Sequence, residues 1–215
     1  MYTRPDAPDY IDTKGIQLVR RDNCKLVKDI SNDILERIMH DKDPDQAVGI
    51  ARDHVLRVLR GEHPIDKFVV SKALRTGYKN DKQPHVFVAR KIAARRGYPV
   101  NSGERVPYVF VAGGEPDALQ ADKAEDPDYA AAHDLPLDVL YYVEHQLASP
   151  VGCLLELLVE DPAAAVFGWP EVKDILDRLR AERAAGLKDV KRQRKNAKNN
   201  QQEITRFFTA VSRVD

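Results

Sequence analysis

The sequence DTKGIQLVRRDNCKLVKDI, residues 12–30, changes its hydrophobic spacing part-way along, and this change predicts the first boundary of the fold. GIQLV, residues 15–19, alternates enough to be a short β-strand. From Asp22 onward the apolar residues recur at helical spacing, and Asp22 or Asn23 is in position to cap the helix. The segment therefore predicts a strand followed by a helix of about five turns.

Residues 41–61, DKDPDQAVGIARDHVLRVLRG, predict a second helix that pairs with the first as a hairpin. Asp43 is a suitable cap, Pro44 fits the first turn and Gly61 ends the helix. Its expected buried face recurs every three or four residues and consists of Val48, Ala51, Val55 and Leu59.

Two strands and four helices are expected further along the chain. The strands are residues 67–74 and 105–114, which are rich in β-branched and aromatic side chains. The helices are residues 84–97, 137–148, 151–159 and 169–186, with Ser149-Pro150 separating the middle two and Gly186 ending the last. The acidic residues 115–128 are expected to form a loop. Helices flanking a small sheet make an α+β fold.

The composition indicates a folded chain without a uniform attraction to polyanions. Of 215 residues, 43% are hydrophobic and 32% are charged, and the formal net charge is +0. Zero net charge excludes simple global attraction to nucleic acid but leaves local patches open, and basic residues do collect at 188–198. The sequence has no apolar run of membrane-spanning length and no signal-peptide pattern. A soluble, intracellular protein with no membrane partner is expected.

The sequence lacks the motifs of a self-sufficient active site. Cys24 and Cys153 form no CxxC pair, so buried thiols are expected rather than a zinc ribbon or a disulfide. The six histidines have neither HxxxH nor HExxH spacing, and the aspartates near residue 43 lack the glycine and glutamate that a calcium loop requires. We therefore expect no catalytic residue, no metal ligand and no bound cofactor in this chain.

Five segments, in order, resemble family B DNA polymerases, especially the delta-like branch, where the palm passes into the thumb. They are DTKGIQLVRRDNC (12–24), FVVSKALR (68–75), PHVFVARKIAARRG (84–97), GERVPYVFV (103–111) and LPLDVLYYVEHQLASPV (135–151). The resemblance implies a palm-edge lead-in at residues 1–19 and a mostly helical thumb domain at 20–186. A flexible basic tether and clamp-binding tail would follow at 187–215.

The sequence also departs from the family pattern. The palm motifs with the two metal-binding aspartates, the KKxY segment, the exonuclease region and the cysteine-rich tail of the eukaryotic delta enzymes are absent. The chain thus resembles the last part of a polymerase, either an expressed fragment or the small piece of a split enzyme. Mg²⁺ is expected in the missing palm, and this chain by itself is expected to be inactive as a nucleotidyltransferase.

The resemblance also implies which residues hold DNA. A thumb grips product duplex without reading its sequence, so its contacts go to phosphates and to the minor groove. The cations in the matching segments are therefore candidates for phosphate contacts, namely Lys14, Arg20, Arg21, Lys72 and Arg105. From spacing alone, a solvated charged edge is the preferred interpretation of the first three. His85 is a further candidate, as a phosphate donor, as a group that orients a neighbour, or as a structural histidine satisfied by backbone.

QQEITRFF, residues 201–208, fits the box Q-x-x-h-x-x-a-a by which replication proteins bind the sliding clamp. Gln201 would bond in a small pocket from an extended lead-in, while one helical turn would bring Ile204, Phe207 and Phe208 to one side as an apolar plug. The alternative is a terminal helix that packs Ile204 and Phe208 onto the thumb. The position behind a basic tether near the end of the sequence favours the plug.

Together these features predict a thumb-bearing C-terminal fragment or small subunit of a replicative polymerase. It would grip primer–template duplex DNA, join a chain that carries the palm and exonuclease, bind the sliding clamp and work at replication sites. The alternative from another class is a stand-alone adaptor that binds DNA and the clamp without polymerase activity. A generic helical protein with an accidental match is the third possibility.

Overall fold

The computed structural model describes residues 2–4, 7–12, 23–40, 43–80, 82–115 and 117–211, in which helices surround a small antiparallel sheet. The predicted α+β class is confirmed. Strands β1 (Tyr2–Arg4) and β2 (Ala7–Asp12) pair in antiparallel orientation within the predicted lead-in. The strand predicted at residues 15–19 lies outside the described residues.

The helices α1 (Lys25–His40) and α2 (Pro44–Leu59) form the predicted packed pair. The Asp43 carboxylate caps α2 by accepting the backbone N–H groups of Asp45 and Gln46 at 3.0 and 3.2 Å. These groups have no partner inside the helix, so the cap stabilises the first turn. The facing sides of the pair are fully buried and begin the core with Leu26, Ile30, Ile34, Val55 and Val58.

The sheet has three strands in the order β3 (Val70–Ala73), β4 (Arg105–Phe110) and β5 (Ala124–Glu125). A 3₁₀ helix, Ile65–Phe68, leads into β3, so the strand is shorter than predicted. Between β3 and β4 lies α3 (Pro84–Arg96), which ends at Gly97 in the left-handed conformation, φ +80°, as predicted.

The prediction that residues 115–128 form only a loop is wrong, because β5 lies within them. Its Glu125 is 6% exposed and receives Lys91 Nζ at 3.2 Å and Arg95 Nη1 at 2.9 Å from α3. A carboxylate is tolerated in a buried strand only when it is paired, and its partners are about thirty residues earlier in the sequence. Local sequence therefore gave no indication of this strand.

After α4 (Pro127–Ala132), the backbone passes through α5 (Val139–Tyr141), a π-helix (Tyr142–Leu147) and α6 (Ala148–Leu155) without leaving helical geometry. The predicted break at Ser149-Pro150 is thus wrong. Proline removes an N–H donor and crowds the preceding turn, and the wide π turn just before it gives the ring room. Cys24 is buried as predicted, whereas Cys153 is exposed on α6.

The last helix, α8 (Pro170–Val211), follows the short α7 (Pro162–Phe167) and continues through Gly186. The predicted stop at Gly186 is therefore wrong, and the backbone of residues 187–211, which were predicted as a flexible basic tether and tail, continues the helix. A glycine inside a helix costs only about 1 kcal/mol, and the Lys, Arg, Gln and Ala residues that follow favour helix. On the body side, α8 is held by buried Val172 and Leu176 and by Arg183, whose Nη2 lies 2.5 Å from Asp138 Oδ1.

Candidate nucleic-acid interface

Two of the predicted DNA-binding cations, Lys72 and Arg105, lie at the same end of the sheet. The register pairs Lys72 with Val106 and Ala73 with Arg105. Because directly paired residues share a face, Lys72 and Arg105 project from opposite faces. Both side chains are exposed. The sheet therefore offers one cation on each face at the same end of the β3–β4 pair.

The Arg105 side chain is held along the strand pair. Its Nε donates to Ser71 Oγ at 3.1 Å, and its Nη2 donates to the Ser71 carbonyl oxygen. These bonds fix the direction of the guanidinium, so less side-chain entropy is lost when it binds a further acceptor.

The loop of residues 74–83, between β3 and α3, adds three exposed cations that the sequence analysis did not select. They are Arg75, Lys79 and Lys82. Gly77, at φ +74°, supplies a left-handed backbone conformation that other residues rarely adopt. The sequence does carry a signal for this cationic loop. It places three cations within eight residues around a glycine, directly before a helix that begins with proline.

Tyr78 organises this loop through its hydroxyl group. The Arg75 backbone N–H donates to Tyr78 Oη at 2.9 Å, and Oη lies 3.3 Å from the Ala73 carbonyl oxygen and 2.8 Å from His85 Nε2. The phenol therefore connects the end of β3, the loop and the first turn of α3. That first turn directs the positive end of the helix dipole towards the loop.

His85 is fully buried, at 0% exposure. A phosphate contact is not available to a buried ring, so of the roles left open by the sequence, orienting a neighbour is the one that fits this geometry. Burial lowers the pKa of His85 below its ordinary value of 6.5, and the positive charge of Lys72 lowers it further. His85 is neutral at physiological pH as a result, and its ring supports Tyr78.

We predict that acid destabilises this loop through His85. The unfolded chain binds a proton near pH 6.5 while the folded chain resists it, so stability is fully present above that pH and falls below it. His85→Gln should lose less unfolding free energy than the wild type between pH 7.5 and 5.5. Urea denaturation at both pH values measures this. Equal acid losses in the two proteins would contradict the prediction.

The remaining predicted residues are less fully described. Lys14, Arg20 and Arg21 lie outside the described residues, as do the side chains of Ile204, Phe207 and Phe208. Gln201 is exposed, and its backbone belongs to α8 rather than to an extended lead-in. The structure thus describes Lys72, His85 and Arg105 from the DNA-binding set, and Gln201 from the clamp-binding set.

Other kinds of site have little support in the part of the chain that the structure describes. No group of three or more His, Cys, Asp or Glu side chains there could hold a metal ion. No helix in these ranges is long and apolar enough to cross a membrane. A cleft of about 480 Å³ between α1 and α2 is lined by three carboxylates, two guanidinium groups and His54, so it has no dominant charge for an anionic ligand.

Comparisons with known proteins agree on one family. The family model for DNA polymerase family B matches residues 1–158. A DNA polymerase of Paramecium bursaria Chlorella virus NY2A is 44% identical over 205 residues. The match covers 95% of this chain and 22% of the length of the viral polymerase. The DNA polymerase delta catalytic subunit of Bos taurus is 39% identical over 168 residues, covering 76% of this chain and 15% of its own.

A solved structure shows a similar fold. The family B DNA polymerase of the archaeon Pyrobaculum calidifontis matches with a TM-score of 0.50 and 25% identity, covering 67% of this chain and 18% of its own. The chain therefore spans about a fifth of the length of the relatives it matches. The sheet and its cationic loop, residues 70–125, lie inside the matched region. The chain belongs to DNA polymerase family B.

Proposed function

We propose that this chain is the duplex-gripping thumb of a family B replicative DNA polymerase, with the palm and exonuclease supplied by another part of the protein or a partner chain. The observation that carries the proposal is the group of exposed cations on β3, β4 and the loop between them, Lys72, Arg75, Lys79, Lys82 and Arg105. The relatives cited above are polymerases, which favours this function over a stand-alone adaptor.

The chemistry of the group suits a phosphate backbone. Lysine ammonium groups act as point charges, whereas an arginine guanidinium can bind a phosphate through two parallel bonds. A polymerase must hold every primer it extends, so contacts that ignore base identity are what its thumb requires. The half-buried Tyr78, bonded to the buried His85, keeps the loop in one shape without itself touching the ligand.

The whole protein is proposed to be a DNA-directed DNA polymerase acting at replication sites. Its Mg²⁺ would be held by paired carboxylates of the palm, where the metal neutralises charge on the phosphates during transfer. The described residues of this chain contribute no metal cluster, so their proposed role is to bind and orient the duplex.

The C-terminal part of the chain is proposed to bind the sliding clamp. In a helical backbone, positions 204, 207 and 208 fall on one side, as a three-pronged apolar plug requires. The Gln201 position would then have to leave the helix for its side chain to reach a separate pocket. A segment that rearranges on binding gives modest, exchangeable affinity.

The duplex-binding proposal is tested by removing one cation from each face of the sheet. Lys72→Gln with Arg105→Gln should reduce the slope of log affinity against log salt concentration by about 1.8, because each lost phosphate contact removes about 0.9. The loss should be the same for duplexes of unrelated sequence. Fluorescence anisotropy at a series of salt concentrations measures it.

A matched control removes one lysine and one arginine from the exposed side of α8, where both lie next to aspartates. Lys173→Gln with Arg178→Gln makes the same change in net charge and should leave the slope unchanged. An unchanged slope in the sheet variant would mean that Lys72 and Arg105 are solvated surface charges that do not contact the duplex.

A further inference from the structure

The C-terminal half of α8 carries a row of cations that the proposed thumb does not use. We call Lys188, Lys191, Arg192, Lys195 and Lys198 the basic stripe, and all five side chains are exposed. Their spacing of three, four and seven residues places them on one side of the helix. The sequence predicted these residues to be a flexible tether, so the alignment of the charges became apparent only with the continuous helix.

The opposite side of the same helical segment is occupied. Val190 is only 9% exposed, and Arg194, one turn further on, pairs with Asp117 of the acidic loop. Earlier in the same helix, Arg183 pairs with the buried Asp138. These contacts fix the rotation of α8 against the body, and the basic stripe is turned towards solvent.

The side chains of the basic stripe are not engaged in ion pairs within the described ranges. The structure shows no ion pair or hydrogen bond from its five side chains within the described ranges. Asp189 is the only acidic residue in the sequence between positions 187 and 198, and it lies beside the stripe, three residues before Arg192. By contrast, the cations of the first half of α8 alternate with Glu171, Asp174 and Asp177.

We propose that the basic stripe is a second binding surface for duplex DNA, separate from the cationic loop of residues 74–83. The stripe extends over about 15 Å of helix axis. A duplex carries one negative charge per ~1.7 Å when both strands are counted, so a duplex segment of this length carries roughly nine phosphate charges, about half of them on each strand. Because the segment is helical, its cations are already arranged in a row, and no chain entropy is lost in aligning them. This inference rests on the proposed function, since both surfaces would hold the same duplex.

Duplex DNA fits the stripe better than a membrane does. A helix that binds a lipid surface needs an apolar face beside its cations. Here Val190 is covered by the body of the protein, and the exposed residues between the cations are Asp189, Gln193, Arg194, Asn196 and Ala197. The surface thus offers charge without a large exposed apolar side chain for insertion.

The test compares two double variants of the full chain in the salt-dependent duplex assay. Lys188→Gln with Arg192→Gln should lower the slope by about 1.8 and weaken binding by about tenfold or more at 0.1 M salt. The control, Lys173→Gln with Arg178→Gln, should bind as the wild type does. Glutamine has a helix propensity close to those of lysine and arginine, and far-UV circular dichroism checks that the helix is intact.

Three results would overturn the inference. If the stripe variant keeps the full slope while the Lys72 and Arg105 variant loses part of it, the proposed function stands and the stripe is not a DNA surface. If the wild type shows no salt-dependent duplex binding, both proposals fail. If the stripe variant loses binding only to phosphatidylserine vesicles, the partner is a membrane.

Discussion

Replacing Phe207 and Phe208 together by alanine is expected to weaken binding to the cognate sliding clamp by several hundred-fold. An aromatic anchor in a desolvated pocket commonly contributes ~2 kcal/mol or more, and two of them amount to about 4 kcal/mol. The same variant should melt within a few degrees of the wild type, because a plug meant for a partner leaves no cavity in the free chain. A clamp titration and a melting curve on one preparation measure both effects.

The control for this variant changes two neighbouring positions that the box does not use. Thr205→Ala with Thr209→Ala alters the same helical segment and should leave clamp affinity unchanged. If the rings instead pack on the thumb, each truncation would cost about 3–5 kcal/mol of folding stability. A large fall in melting temperature with clamp affinity untouched would therefore establish that alternative and reject the plug.

Tyr142→Phe is expected to destabilise the folded chain by about 2–4 kcal/mol, although it removes a single oxygen atom. Tyr142 is fully buried, and its Oη accepts the backbone N–H of Phe110 at 3.0 Å and donates to the carbonyl oxygen of Phe68 at 2.9 Å. Without the hydroxyl group, a donor and an acceptor remain unpaired in the core. Urea denaturation at neutral pH measures the loss.

The position of these two bonds connects the prediction to function. Phe110 ends β4, and Phe68 ends the 3₁₀ helix that leads into β3, so Tyr142 joins the two strands that carry Arg105 and Lys72 to the π-helix. Tyr98→Phe is the matched control, since Tyr98 is 62% exposed, and it should leave stability unchanged. Equal stabilities of the Tyr142 and Tyr98 variants would contradict the role assigned to the buried hydroxyl.

Several structural features that depend on neighbours a few residues away were predicted correctly from the sequence, although the breaks expected at Ser149-Pro150 and Gly186 were not. Asp43 caps α2 through residues two and three positions ahead, and Gly97 ends α3 one residue after its last turn. The order of the helices, the pairing of α1 with α2 and the family resemblance were accessible for the same reason. Lys72 and Arg105 were selected from the sequence because each lies in a segment that resembles the family, and both side chains are exposed; their contact with DNA stays a prediction.

Features that depend on distant partners were decided only by the tertiary structure. Glu125 enters a strand because Lys91 and Arg95 neutralise it, and His85 is withdrawn from solvent to support Tyr78. Gly186 does not end α8, because helix-favouring residues follow it and the body holds the helix on both sides of it, at Leu176 and at Val190. Burial and charge pairing join residues far apart in the chain, so local spacing cannot reveal them. The basic stripe likewise faces solvent only because the body of the protein covers the other side of the helix.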